Sequence, residues 1–165
     1  MRRFRPCIAV MLLLSIAMPT AAASIHQANL ICDVTRPNGI VPPNELSRPG
    51  WHGNDVLIVG WLEDDGSLYG RPMTAGEVSV KLAWYRFNRG APLTITGHLV
   101  TDPAVTLRAS VPEGYEETSI QASGLVFPVE GCWIITGSVP AGSLTFTAMV
   151  VPWIPVSTPV ASPSD

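Results

Sequence analysis

Apolar residues alternate with polar ones, at a period close to two, in short runs along most of this chain. Side chains two residues apart lie on the same face of a β-strand, so this period indicates strands with one buried face. Proline, glycine, asparagine and aspartate separate the runs, and the 165 residues include 16 prolines and 14 glycines. Eight runs are predicted to be strands: 29–34, 56–63, 77–87, 93–101, 105–111, 119–126, 132–139 and 143–151. Regular short strands without a convincing helix predict an all-β fold, an immunoglobulin-like sandwich of two antiparallel sheets.

The alternation also predicts which side chains form the core. Two runs carry four apolar residues each on one face, which we expect to be buried: Val78, Val80, Leu82 and Trp84, and Leu144, Phe146, Ala148 and Val150. Turn-forming residues at 64–67, 88–90 and 140–142 predict hairpin turns between strands.

The amino-terminal segment has the three parts of a signal peptide. Three of the first five residues are arginine, an apolar run follows at 8–18, and small residues at 21–23 form a cleavage site. The apolar run is shorter than the ~20 residues of a membrane-spanning helix, so a retained anchor is the weaker interpretation. We therefore expect removal of residues 1–23 and a secreted or periplasmic mature protein that is not inserted in the membrane. The general secretory route is favoured over the twin-arginine route.

The mature chain is predicted to be one β-sandwich domain at 24–151, because its length supports a single hydrophobic core. Segment 36–54 contains four prolines and three glycines. It is predicted to be an extended loop that covers the sandwich. The tail 152–165 is rich in proline and serine and is expected to be disordered.

Cys32 and Cys132 are the two cysteines of the predicted mature chain, since Cys7 is removed with the signal peptide. In an oxidising compartment they are expected to form a disulfide. Closing a loop of about 100 residues contributes up to ~4.7 kcal/mol in the chain-entropy model. A metal-binding or redox-active thiol pair is the weaker interpretation, because the spacing matches no zinc or C-x-x-C pattern. Cys32 shares a strand face with Val34, and Cys132 with Ile134, so both sulfur atoms are expected to point into the core.

The charge of the mature chain limits its partners. Without Arg2, Arg3 and Arg5, seven basic residues face thirteen acidic ones, a net charge of about −6. A chain with this charge is unlikely to bind nucleic acid or an anionic membrane surface. The expected partner is a protein or a small polar ligand.

An enzyme would need a nucleophile, a base or a metal site, and the sequence has no such motif. There is no G-x-S-x-G, no H-E-x-x-H and no phosphate-binding glycine loop. His98 lies in a predicted strand, where a solvated histidine is favoured over a catalytic base. Asp64 and Asp65 precede a glycine and are interpreted as turn formers rather than as an acid/base pair or a calcium site. We therefore expect no catalytic activity.

The cluster Trp51, His52 and Asn54 is the most suggestive local group of side chains. An aromatic ring, an imidazole and an amide on one loop can together hold a polar ligand. The alternative is structural. In that case Trp51 closes the end of the sandwich, and Gly53 and Asn54 form the turn into the next strand.

Short motifs spread from Cys32 to about Val151 carry a resemblance to a known group of proteins. They are Pro37-Asn38-Gly39, Pro42-Pro43, His52-Gly53-Asn54, Trp84-Tyr85-Arg86, Pro112-Glu113-Gly114-Tyr115, Ser123-Gly124-Leu125-Val126-Phe127-Pro128 and Glu130-Gly131-Cys132-Trp133. With these motifs the chain resembles an uncharacterised group of bacterial secreted proteins and lipoproteins that have an immunoglobulin-like β-sandwich domain and no assigned activity. The resemblance implies the sandwich fold and supplies no function.

The sequence as a whole predicts a secreted, disulfide-stabilised, non-catalytic binding or interaction module without a cofactor. The alternative is copper or nickel binding at a mature amino terminus that reads Ser24-Ile25-His26. The terminal amine, two backbone amides and the imidazole of His26 provide the four nitrogens of a square-planar site. This site requires cleavage directly after Ala23.

Overall fold

The computed structural model describes residues 32–43, 50–60 and 62–154. Within these ranges the chain forms ten strands: β1 (His52–Gly53), β2 (Leu57–Gly60), β3 (Ser67–Pro72), β4 (Val78–Arg86), β5 (Thr94–Leu99), β6 (Asp102–Thr106), β7 (Arg108–Ser110), β8 (Ile120–Phe127), β9 (Gly131–Val139) and β10 (Gly142–Pro152). A single 3₁₀ turn at Thr74–Gly76 joins β3 to β4. None of the helical structure in these ranges is long and apolar enough to cross a membrane. The predicted signal peptide and residues 155–165 of the predicted tail lie outside the described residues.

The strands form two facing sheets. In sheet A, β4 is central: β8 and then β7 lie on one side, and β2 with β1, together with the end of β3, lie on the other. Sheet B has the order β3-β10-β9-β5-β6. The predicted β-sandwich is therefore confirmed. The β3–β10 pair is parallel, so sheet B is mixed rather than purely antiparallel as predicted.

Two segments pass from one sheet to the other and join the sheets at both sides. In β3, Ser67–Gly70 pairs with β10, and Arg71 and Pro72 pair with β4. The predicted run 105–111 is likewise divided: β6 belongs to sheet B and β7 to sheet A. Leu107 between them is buried against the core. Strands that change sheets make the corners of a sandwich and reduce its exposed edges.

The core between the sheets contains the side chains that the alternation predicts. Both predicted sets, on β4 and on β10, are buried. Trp84 lies 6.2 Å from Phe146 between ring centroids, and its indole Nε1–H donates to Ser123 Oγ at 3.0 Å. A β-carbon at Gly137 would collide with the Trp84 ring, so glycine is required there for sheet B to approach the indole. Gly137 thus allows the two sheets to approach closely at Trp84.

The predicted turns have different outcomes. Segment 140–142 makes the β9–β10 hairpin, with Gly142 paired to Val139. Segment 64–67 is a turn, closed by a hydrogen bond from Gly66 N–H to the Glu63 carbonyl, but β2 and β3 do not pair with each other. Segment 88–90 links β4 in sheet A to β5 in sheet B and is therefore not a hairpin either. A turn signal predicts a change of direction, while the pairing depends on the sheet that each strand joins.

The disulfide between Cys32 and Cys132 is present, with the Cα atoms 5.5 Å apart. The prediction that both sulfur atoms point into the core is wrong. On β9 it is Trp133 and Ile135 that are fully buried between the sheets, so Cys132 points to the outer face of sheet B. Cys132 is buried, at 9% exposure, but belongs to neither hydrophobic cluster of the described residues, so the bridge is covered on the outer face of sheet B rather than packed between the sheets.

Candidate functional site

Trp51 covers the outer face of sheet A rather than the end of the sandwich. Its side chain is 9% exposed and packs with Ile58 of β2 and Ala83 of β4 in a second hydrophobic cluster. A β-carbon at Gly60 would collide with the Trp51 ring, so this glycine makes room for the indole. The segment that carries Trp51, here called the Trp51 loop, comprises the described residues 36–43 and 50–54. The sequence predicts a loop throughout this segment. His52 and Gly53 instead form strand β1, and two residues are too few for an alternation of apolar and polar side chains to be visible.

The polar groups of the Trp51 loop are engaged in separate hydrogen bonds. The side-chain amide of Asn38 pairs with both main-chain groups of Gly53, at 2.7 Å and 3.1 Å, and so takes the place of a neighbouring strand. Asn54 Oδ1 accepts the main-chain N–H groups of Val56 and Leu57, which forms the turn into β2. These bonds build the loop onto the edge of sheet A.

His52 is half-buried, and its Nδ1 lies 3.1 Å from the Arg36 carbonyl. Asn54 Nδ2 donates to the Ser143 carbonyl at 2.9 Å. Trp51, His52 and Asn54 therefore contact three different parts of the molecule. The role of this loop in binding a ligand stays a prediction.

The predicted copper or nickel site at Ser24, Ile25 and His26 lies outside the described residues and also stays a prediction. In the described ranges there is no group of three or more histidine, cysteine, aspartate or glutamate side chains that could hold a metal ion. His98 lies on β5 between the buried Ile95 and the end of the strand, half-exposed and paired in register with Thr106 and Ile134.

Arg86 occupies one end of the sandwich with its side chain almost fully buried. The guanidinium donates to the carbonyls of Ala91, Tyr115 and Thr118, at 2.6–2.9 Å, and so ties two loops together. Burial lowers the pKa of Arg86, and the charge of Glu116 opposes that shift. Its Nε–H is buried with no partner among the described residues. A cavity of about 270 Å³ lies beside it, but the orphaned N–H is closed to solvent. We interpret Arg86 as a structural tie.

The opposite end of the sandwich has the character of a binding surface. Among the described residues, five of the eight exposed large hydrophobic side chains lie there: Tyr69, Met73, Val129, Trp153 and Ile154. We call this group the apolar end. Tyr69 and Trp153 are 50% and 59% exposed, which is unusual for aromatic side chains in a small domain.

Strand pairing brings these side chains together. Tyr69 on β3 is paired in register with Val151 on β10, and Trp153 N–H donates to the Gly70 carbonyl, so both aromatic rings project from adjoining strands. A cavity of about 420 Å³ at the same end is lined by Pro72, Pro152 and Val129 among others, and Val129 is the member of the apolar end in its lining. Glu77 at its margin forms an ion pair with Arg108 at 2.9 Å. This end of the sandwich thus carries two exposed aromatic rings on adjoining strands and, separately, a cavity with a charged margin.

The sequence reasoning missed this surface. Tyr69 belongs to a strand that was not predicted, and Trp153 was assigned to the tail. The available signal was the presence of aromatic residues in two proline-containing segments, because an aromatic side chain in an otherwise polar or irregular segment often serves recognition. The sequence alone did not indicate that the two segments are neighbours.

No family model and no curated protein matches this chain. The chain is similar to three solved structures of the S-layer protein SbsC. Domains 4 and 5 share 15% identity at a TM-score of 0.39, over 59% of this chain and 51% of that chain. Domains 4–9 share 15% identity at a TM-score of 0.42, over 63% and 15% of the two chains. Domains 1–6 share 16% identity at a TM-score of 0.40, over 62% and 14%. This chain therefore spans about half of the first structure and a much smaller part of the other two, and identities and TM-scores this low give no basis for a function.

Proposed function

We propose that this chain is an exported, disulfide-stabilised, non-catalytic binding module that engages a partner protein through the apolar end. The observation that supports this function is the concentration of five exposed large hydrophobic side chains at one end of the sandwich. Leaving these side chains in water costs free energy that a partner would recover on binding. The disulfide fits a protein that works outside the cytoplasm.

The size of the apolar end indicates the kind of partner. With aromatic side chains that bury ~150–250 Å² each, the five side chains expose roughly 500 Å² together. A stable protein–protein interface buries about 800 Å² on each partner. The apolar end is therefore suited to a short apolar segment of another protein, bound weakly or transiently, rather than to a broad permanent interface.

Substitution of the two exposed aromatic residues tests the proposal. The variant Tyr69→Ala, Trp153→Ala should keep its fold, because both side chains are largely exposed. Immobilised wild-type protein is used to capture partners from a cell-envelope fraction, and the bound proteins are quantified. We expect the double variant to lose at least 90% of the partner that wild type captures.

Phe87→Ala is the matched control, because Phe87 is 46% exposed and follows β4 at the opposite, Arg86 end. It should capture the partner as wild type does. His52→Ala is a third arm, since His52 belongs to the predicted ligand loop. Equal capture by wild type and the double variant contradicts the proposal, and a loss confined to His52→Ala assigns binding to the Trp51 loop instead.

A further inference from the structure

Among the described strands, part of β10 is an open edge of sheet B. On one side, β10 pairs with β9 along Gly142–Val150. On the other side, β3 pairs only with Met149–Pro152. No described strand lies beside the earlier half of β10 on that side. An unpaired strand edge presents main-chain donors and acceptors that another strand can use.

The side chains of Thr35 and Asn54 lie at the two ends of this open edge. Thr147 N–H donates to Thr35 Oγ1 at 3.0 Å, and Thr35 N–H donates to the Thr147 carbonyl at 2.8 Å. At the other end, Asn54 Nδ2 donates to the Ser143 carbonyl. Alternate residues of a strand direct their main-chain groups to the same side, so Thr145 also faces this edge. Within the described ranges, no strand covers Thr145 there.

The disulfide is one of the restraints that hold Thr35 at the edge. Segment 32–35 precedes the Trp51 loop and is joined to sheet B by the Cys32–Cys132 bridge and the two bonds to Thr147. It contributes no residue to either buried hydrophobic cluster of the described chain. Its apolar packing consists of Val34, which lies against Gly66, so the covalent bond is a major restraint on its position beside this contact and the two bonds to Thr147.

We propose that segment 32–35 is a redox-controlled cover of the β10 edge. When the disulfide is reduced, the segment leaves and a second copy of this chain pairs with the exposed edge, β10 against β10 in antiparallel orientation. The edge of an antiparallel strand is self-complementary about a two-fold axis. With Thr145 opposite its own copy, Ser143 pairs with Thr147 of the second chain, and about four main-chain hydrogen bonds form while Asn54 keeps its bond to each Ser143 carbonyl.

The composition of β10 favours a second copy over a charged partner. Strand β10 contains no aspartate, glutamate, lysine or arginine, so self-pairing brings no like charges together. Its side chains alternate between the buried Leu144 and Phe146 and the exposed Ser143 and Thr145. β-Branched threonines on the exposed face are well suited to cross-strand pairs.

The opening step is ordinary thiol–disulfide exchange with a dithiol. One thiolate of the dithiol attacks a sulfur of the Cys32–Cys132 bond, that bond breaks, and the other cysteine leaves as a thiolate that takes up a proton. The second thiol of the reagent then attacks the mixed disulfide. The dithiol is oxidised to a cyclic disulfide, and the protein gains two thiols. Cys32 is partly exposed and Cys132 is buried, so the dithiol is expected to attack the Cys32 sulfur while the sandwich stays folded.

Light scattering coupled to size exclusion tests the proposal, with and without dithiothreitol, and near-ultraviolet circular dichroism verifies the fold. We expect the oxidised protein to be monomeric and the reduced protein to dimerise. The double variant Cys32→Ser, Cys132→Ser should dimerise without a reductant. A reduced protein that keeps its near-ultraviolet spectrum and stays monomeric at millimolar concentration overturns the proposal.

Two lysine substitutions identify the surface. Thr145→Lys places two ammonium groups opposite each other across the two-fold axis and should weaken the reduced dimer at least tenfold. Thr96→Lys is the control, because Thr96 is exposed on β5 of the same sheet and lies away from the edge. Thr145→Pro removes the main-chain donor at the same position and should also weaken the dimer. A dimer that is equally strong in all three variants shows that association uses another surface.

Discussion

Segment 32–35 and the Trp51 loop are consecutive in the chain and cover opposite sheets of the sandwich by different means. The Trp51 loop lies on sheet A because Trp51 is buried against Ile58 and Ala83. Segment 32–35 is held on sheet B by the covalent bond from Cys32 to Cys132 and by the two hydrogen bonds between Thr35 and Thr147. Apolar burial is a part of folding and is lost when the protein unfolds, whereas a disulfide can be opened while the fold persists. The two neighbouring segments can therefore differ in whether they stay on their sheet when the disulfide is reduced.

The Trp51 loop and segment 32–35, the covers of sheets A and B, also share one kind of hydrogen bond. In each, a side chain of the amino-terminal stretch accepts a hydrogen bond from a main-chain amide at a sheet edge. Asn38 Oδ1 accepts from Gly53 N–H at 3.1 Å, and Thr35 Oγ1 accepts from Thr147 N–H at 3.0 Å. The difference between the covers thus lies in what holds the acceptor in place.

Removal of the Trp51 indole should have the largest effect on stability. Trp51→Ala removes a buried aromatic side chain and leaves a cavity over Gly60, so the free energy of unfolding should fall by about 3–5 kcal/mol. Urea denaturation followed by tryptophan fluorescence measures it.

Trp153→Ala is the control for size and chemistry, because Trp153 is 59% exposed. Its effect should stay within about 0.5 kcal/mol. If the two alanine variants were equally stable, Trp51 would not hold the loop on sheet A by burial.

Loss of the disulfide should have the next largest effect. The variant Cys32→Ser, Cys132→Ser should lose about 2–4 kcal/mol of unfolding free energy, chiefly because its unfolded chain is less restrained. Its near-ultraviolet spectrum should stay native, since the bridge lies outside the core. A variant that fails to fold would contradict the account, because the disulfide would then be needed for the fold itself and not only for the position of segment 32–35.

The core faces were predictable from sequence, and the position of the disulfide was not. On β10 only one face is apolar, so alternation identifies Leu144 and Phe146 as buried. At the start of β9, Cys132, Trp133, Ile134 and Ile135 are all apolar, so either face could be the core. A shift of one residue exchanges the two faces of a strand, and only the pairing with β10 decides between them.

Asn38→Ala should lower the free energy of unfolding by less than Trp51→Ala or the loss of the disulfide does. It leaves the N–H and C=O of the buried Gly53 without their side-chain partner and should cost about 1–2 kcal/mol. Thr35→Val, which removes the corresponding acceptor on sheet B, should cost less than Asn38→Ala, because Thr147 is half-buried and water can replace the hydroxyl. Thermal unfolding of both variants under oxidising conditions checks the order, and a larger loss for Thr35→Val would contradict it.

Strand β3 and the apolar end were not predictable for a related reason. Gly70 and Pro72 interrupt the alternation of β3, and its partner β10 is distant in sequence. A strand that passes between sheets changes which face is buried along its length, so no single period describes it. Trp153 follows β10 in a proline-rich context that is typical of tails.

The smallest expected effect concerns the turn before β3. The hydrogen bond from Ser67 N–H to Asp65 Oδ1, at 2.9 Å, holds the pKa of Asp65 below its ordinary value. Because the pKa is lower in the folded state, the stabilisation is present above about pH 3.9, the ordinary value, and is lost as the pH falls through the folded pKa. In acid titrations followed by circular dichroism, Asp65→Asn should show a slightly smaller loss of stability below pH 4 than wild type. A steeper loss in the variant would contradict this sign.

Hydrogen exchange of two main-chain amides tests the difference between the covers most directly. Gly53 and Thr147 N–H each donate to a side chain of the amino-terminal stretch, so their exchange rates report the two covers in one sample. We predict that both amides are protected in the oxidised protein. On reduction, Thr147 should exchange at least tenfold faster in dilute, monomeric protein, while Gly53 keeps its protection. If reduction accelerates both amides equally, or leaves Thr147 as protected as Gly53, the disulfide does not hold the cover of sheet B in place.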